Sequence, residues 1–262
     1  MNRICRAFKN KKAFIAFVTG GDPDIETTES LIPQMAEAGA DLIEIGIPFS
    51  DPVAEGVVIQ EADMRSLAAG TTTDKLFDMV KRLRGKVDIP LVFMTYMNPV
   101  YTYGTKKFAD KCRECGIDGL IIPDVPYEER DEVKGECEAA GIELISMIAP
   151  TSKDRIEMIA NEAKGFLYCV SSPEVAGVRD EVTTDIRGMV ERVRSVSDVP
   201  CAIGLGIASP KQAYQMASVS DGVIAGSAVV KLIAQYGRKC AAPVCDYIRE
   251  MKAVIEEQAL AV

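Results

Sequence analysis

Short apolar runs and longer amphipathic stretches take turns along the chain. The apolar runs predict strands at Phe14–Thr19, Leu42–Ile45, Pro90–Tyr96, Leu120–Pro123, Glu143–Ile148, Phe166–Val170, Pro200–Ile203 and Gly222–Ala225. The stretches between them predict helices at Val57–Ala69, Thr105–Cys115, Tyr127–Ala140, Lys153–Ala163, Asp185–Ser195 and Ser209–Ala217. Further helices open at a Thr27 or Thr28 cap (running to Ala38), at Thr73 and at Pro243. The first residues, MNRICRAFKNKKAF, read as a short helix ahead of the first strand. A Tyr/Gly loop follows the third strand, and the loop from Ser171 to Thr184 is long enough for a lid. The junctions AGADLI, CGIDGLI and AGIELI, and more loosely VSDGVI, share one form, with Gly placed to end a helix. Eight strand–helix units of roughly 33 residues predict an α/β fold, the (β/α)8 TIM barrel. The barrel is expected to span residues 1–262 as one domain, with extra short helices in the loops after strands 2 and 8. A doubly wound sheet is the alternative.

Composition narrows the class. Hydrophobic residues make up 48% of the 262, enough for a substantial core. No apolar run reaches the ~18 residues of a membrane span, and the basic N-terminus lacks the apolar core of a signal peptide. A cytoplasmic location without membrane attachment is therefore expected. A net charge of −9 with no long basic block argues against nucleic acid. A small anionic substrate stays open, because backbone N–H groups can bind phosphate on an acidic protein. The chain has no histidine, which removes Ser-His-Asp and Cys-His catalysis and His-based zinc sites. Acid/base work must fall to carboxylates, Tyr, Lys or Cys. The eight cysteines read as reduced thiols, and the lone Cys112/Cys115 pair sits in a charged helix with no second pair to complete a zinc site.

Candidate chemistry collects in EIGIPFSDPVAEG, Glu44 to Gly56. Glu44 interrupts an apolar strand, where a charge is costly unless it faces a cleft or has a partner. Glu55 closes a loop stiffened by Pro48 and Pro52. Together they form a workable acid/base pair; the plainer reading makes Glu44 an ion-paired structural residue and Glu55 a solvated loop charge. Barrel active sites form at the C-terminal ends of the strands. Gly204 and Gly206 follow the seventh strand there, and Gly226 and Ser227 follow the eighth, opening a helix. Two such turns suit a phosphate; the plainer reading is that tight turns need glycine. Phe17, Met94, Tyr96, Ile121, Met147 and Tyr168 suit the mouth of a pocket for a flat ring, although each alone also suits a barrel core. The residues by themselves point to a lyase or isomerase acting on an organic phosphate through carboxylates, without metal or histidine.

The runs FVTGGDPD, AGADLIEIGIPFSDPVAEG, GIDGLIIPDVPYEE, GFLYCVSS, GLGIASP and IAGSAVVK, in this order, resemble the α subunit of tryptophan synthase from about residue 1 to residue 250. That resemblance implies retro-aldol cleavage of indole-3-glycerol phosphate to indole and glyceraldehyde 3-phosphate. It implies Glu44 as the acid/base carboxylate at indole C3, and Glu55 where the family has an aspartate that bonds the indole N–H. It implies Phe17 and Tyr168 as pocket residues, and Gly206, Gly226 and Ser227 as phosphate-binding positions; Tyr96 and Gly204, read from the residues above, complete the expected substrate-binding set. Asp51, Pro52 and Asn98 match surface facing a β subunit, in an αββα heterotetramer. No cofactor is implied in this chain; pyridoxal phosphate is expected only in the β partner. A weakly or non-catalytic subunit that activates the β partner is the alternative. Four positions depart from the family pattern. Glu55 replaces aspartate, Ser172 replaces a common arginine, and the lid reads Glu174-Val175-Ala176-Gly177 where the family has Gly-Val-Thr-Gly. The lid residues Ala176 and Gly177 therefore lack the hydroxyl that supports the aspartate, and the longer Glu55 is expected to compensate in reach.

Overall fold

The computed structural model describes residues 2–171, 179–204 and 206–260. Nine strand segments pair in parallel throughout. They are β1 (Ala13–Thr19), β2 (Leu42–Gly46), β3 (Leu91–Met94), β4 (Gly119–Ile121), β5 (Glu143–Leu144), β6 (Ser146–Ile148), β7 (Leu167–Val170), β8 (Cys201–Gly204) and β9 (Gly222–Ala225). Their spatial order is β5-β4-β3-β2-β1-β9-β8-β7-β6. The two ends of that order are consecutive in the chain. β5 and β6 are halves of the expected fifth strand, parted at Ile145, whose N–H still donates to Leu120 O at 2.8 Å. One half pairs with β4 and the other with β7, so the sheet closes into the expected eight-stranded barrel.

The period of two along each strand sorts side chains into two cores. Ala13, Ile15, Leu42, Val92, Ile121, Ile145, Tyr168, Ala202 and Ile224 fill the barrel interior. The first helix, α1 (Arg3–Phe8), closes its lower end, with the Phe8 ring 5.6 Å from that of Phe166. Phe14, Ala16 and Val18 face the other way, into the larger core beneath the helices.

Those helices are α2 (Ile25–Glu37), α3 (Val57–Ala68), α4 (Thr73–Leu83), α5 (Met97–Tyr103), α6 (Thr105–Cys115), α7 (Asp131–Ala140), α8 (Ile156–Glu162), α9 (Arg179–Arg194), α10 (Pro210–Ala217), α11 (Ser227–Tyr236) and α12 (Ala241–Leu260). Several boundaries correct the sequence expectation. Asp24, not Thr27 or Thr28, caps α2, its carboxylate accepting from Thr27 N at 2.8 Å. The Tyr/Gly loop is instead the helix α5. Pro99 falls in its first turn, where no N–H is needed, and the Asp124 carboxylate accepts from Met97 N at 3.0 Å. Tight 3-10 turns at Tyr127–Glu129 and Pro150–Arg155 precede α7 and α8. α9 begins at Arg179, inside the expected loop, and α12 begins two residues before Pro243.

Candidate active site

Leu42 points into the barrel, so Glu44, two residues on, points the same way and nearer the mouth. The same step places Phe17 beyond Ile15 and Gly204 beyond Ala202. Glu44 is fully buried, and neither carboxyl oxygen has a hydrogen-bond partner among the described residues. Desolvation pushes its pKa up to about 8, so the side chain is a neutral acid at pH 7. Tyr168 is also buried, and its hydroxyl is pushed above the ordinary phenol value by burial and by the nearby Glu44. Its ring leans over the neighbouring strand β8 onto Gly204, where a Cβ would stand 2.6 Å from Tyr168 Cζ. Gly204 thus makes room for the ring, a role the turn reading did not supply. Phe17 leans on Gly46 in the same manner, and its near side faces Gly226.

Glu55 is held differently. It is half-buried in the loop between β2 and α3, and its backbone carbonyl accepts from Gln60 Nε2 at 2.7 Å. Its carboxyl lies with Asp63 of α3 and Tyr96, just past β3. Burial pushes the Glu55 carboxyl up, while these two neighbours favour its charged form. Tyr96 is almost fully buried, stacks at 5.5 Å on Phe49, and its hydroxyl accepts from Ala54 N at 3.1 Å. It therefore pins the loop that carries Glu55, besides lying beside the pocket. Asp63 was not foreseen. The positions Ile59, Ala62, Asp63 and Ser66 fall at helical spacing on one side of α3, and the last three are buried, which is the signal that would have found it.

The two turns after β8 and β9 differ at their helix ends. Gly206 adopts φ +74°, open to glycine and strained for other residues, and a Cβ there would meet only open space. Ahead of α10, Ser209 and Gln212 form a capping box that satisfies the first N–H groups. Ser227 opens α11 behind Gly226 with no side-chain cap and no acidic residue in its first turn. Its N–H groups and positive dipole end are free to meet an anion. Ala176 and Gly177, like Ser172, lie outside the described residues.

Asp51 is exposed, with Ser50 Oγ donating to it at 2.6 Å; Pro52 is half-buried and Asn98 exposed. Around them stand Val53, Val57, Met64, Leu67 and Tyr101, five of the nine large hydrophobic side chains exposed among the described residues. A groove of about 380 Å³ between Pro48, Phe49, Leu67, Thr71, Asn98 and Tyr103 runs beside them. Cys112 and Cys115 are buried, and burial pushes both thiols up, which leaves them unreactive. Among the described residues no group of three or more His, Cys, Asp or Glu is placed to hold a metal ion. No helix there is long and apolar enough to cross a membrane.

A closed parallel barrel with two carboxylates at its mouth and an uncapped helix end beside them defines the class: a (β/α)8-barrel enzyme of the kind that binds organic phosphates. Comparison with known proteins narrows it. The family described as tryptophan synthase alpha chain matches residues 5–256. The tryptophan synthase alpha chain of Lactiplantibacillus plantarum is 48% identical over 257 residues, 98% of this chain and 97% of that one. That of Lacticaseibacillus casei is 44% identical, covering 98% and 96%. The crystal structure of the alpha chain from Legionella pneumophila superposes with a TM-score of 0.89 at 33% identity, covering 98% of each chain. A tryptophan synthase from M. tuberculosis, in an aminoacrylate-bound form, gives 0.85 at 30%, covering 97% and 100%. The chain belongs to the tryptophan synthase alpha chain family.

Proposed function

We propose that this chain cleaves indole-3-glycerol phosphate to indole and glyceraldehyde 3-phosphate by carboxylate acid/base chemistry, with no metal and no cofactor of its own. The observation that carries the reading is Glu44: a buried, unpartnered carboxyl on a rigid strand, neutral at pH 7. In that state it can protonate indole C3. The carboxylate so formed then takes the proton of the side-chain hydroxyl adjacent to the breaking bond. The C–C bond breaks, its electrons return to the ring, and the hydroxyl carbon leaves as the aldehyde; the Glu44 proton is restored. Glu55 accepts from the indole N–H and balances the positive charge that C3 protonation places on the ring. The Phe17 and Tyr168 rings bracket the flat substrate, with Tyr96 beside Glu55. Gly204 and Gly206 of one turn, and Gly226 and Ser227 with the first N–H groups of α11, hold the phosphate.

Indole has no charge to hold it in water, and a β subunit would consume it. The apolar face around Asp51, Pro52 and Asn98 supports docking of a pyridoxal-phosphate β subunit, in an αββα assembly. The test is indole release from indole-3-glycerol phosphate by the purified chain, alone and with a tryptophan synthase β subunit. Turnover that rises with β and falls at least ~100-fold in Glu44→Gln is expected. Tight binding of the substrate phosphate without turnover in either condition would overturn the lyase reading in favour of a purely activating subunit.

A further inference from the structure

Asp63 and Glu55 form an unusual pair. Asp63 is 3% exposed on α3, and its carboxyl meets that of Glu55. Glu55 Oε2 is buried, and no N–H or O–H among the described residues reaches it. The groups that act most strongly on either carboxyl include no lysine or arginine. Two buried like charges in contact cannot both persist; one must bind a proton. The surroundings decide which group keeps it. Burial and the Glu55 charge both push Asp63 up, while Asp63 itself favours ionised Glu55.

The rest of the environment leaves the pair isolated. Thr19 of β1 and the Phe49 backbone N–H favour charge on Asp63, and the Tyr96 hydroxyl favours charge on Glu55. On α3 itself Glu61 is exposed, and Arg65 is committed to Asp22 through two bonds of 2.8 Å. Behind α3, Val230 of α11 packs against Ala62 with Phe17, and the neighbouring Lys231 is exposed. The helix is also fixed against sliding. Ser66 Oγ donates to Gly20 O at 2.7 Å, and with the Arg65–Asp22 fork this ties α3 to the turn after β1.

We propose that Asp63 is a positioning residue: a neutral carboxylic acid on an anchored helix that donates its proton to the Glu55 carboxylate and fixes it in the site. The support for Glu55 then comes from α3 and not from the loop that carries it. The inference rests on the role given to Glu55 above.

Infrared spectroscopy without substrate tests the proton directly. The difference between wild type and Asp63→Asn at about pH 7 should contain one protonated-carboxyl band, and labelling aspartate carboxyls with carbon-13 should shift it. No such band, or a band that shifts only when glutamate is labelled, overturns the proposal. A second readout uses indole release against pH. Asn retains an N–H donor, so Asp63→Asn should lose less than about tenfold in kcat and keep its acid limb. Asp63→Leu removes the donor and leaves Glu55 desolvated. Its acid limb should move up by about one pH unit or more, and kcat should fall ~100-fold. Equal losses in both variants with an unmoved acid limb would assign Asp63 a packing role only. The band with no turnover in wild type would uphold the pair and reject the lyase reading; turnover without the band would do the reverse.

Discussion

The strand that carries Glu44 and the loop that carries Glu55 solve one problem in opposite ways. Glu44 is positioned by covalent geometry: β2 lies between β1 and β3, and alternation along the strand aims the side chain inward. Nothing among the described residues bonds its carboxyl, and burial pushes it up and makes it an acid. Glu55 sits on a loop and depends on its neighbours, Tyr96 for the path of the chain and Asp63 for the carboxyl. Burial pushes its carboxyl up, and those groups act the other way. One carboxyl is tuned by isolation and the other by company. The difference places a proton donor and a fixed negative charge at the same barrel mouth.

Breaking each side of this comparison should have a different effect. Glu44→Gln keeps the shape and removes the proton; kcat should fall by ~10² to 10⁴ with KM little changed, measured by steady-state indole release. Glu55→Asp keeps the charge but withdraws it by about one C–C bond from Asp63. A misplacement near 1 Å costs about 100-fold, so that loss in kcat is expected, together with partial recovery when threonine is added at position 176. Gly204→Ala drives a methyl into the Tyr168 ring, 2.6 Å from Cζ. It should destabilise the fold by about 1–3 kcal/mol in urea unfolding and raise KM. Tyr96→Phe leaves the Ala54 N–H without its acceptor and should cost about 1 kcal/mol of stability and a few-fold in kcat.

The smallest effect sharpens the contrast through stability. The folded chain keeps the Glu44 proton up to about pH 8, whereas the unfolded chain releases it near the ordinary carboxyl value of 4.5. Between these values the folded state binds more protons, so this side chain's contribution to stability is lost as pH rises. Wild type should therefore lose more of its urea midpoint between about pH 5 and pH 8 than Glu44→Gln does.

Much of this was legible in the sequence where the cause is local. The last strand, Gly222–Ala225, has the boundaries its apolar run implies, and Glu44 stands out because a carboxylate breaks such a run. α5 was missed because Pro99 and the nearby tyrosines imitate a loop, while the cap that starts the helix, Asp124, lies 27 residues further on. The break at Ile145 was hidden because it reflects two neighbours in register with different halves of one strand. Gly204 reads from sequence as part of a phosphate turn, and only the fold adds the Tyr168 ring that leans over it from the neighbouring strand. Asp63 could be placed on the inner face of α3 from spacing, but its partner comes from a loop whose path is set by Tyr96.

The central claim is that Glu44 works as a neutral acid beside an ionised Glu55. The most direct measurement is indole release with saturating β subunit from about pH 5 to about pH 9, for wild type and Glu44→Gln. The account predicts a wild-type rate that falls as pH passes about 8, where Glu44 gives up its proton, and a small residual rate in the variant without that limb. A wild-type rate that stays level or climbs through that range, or a variant that keeps the wild-type rate, would contradict it.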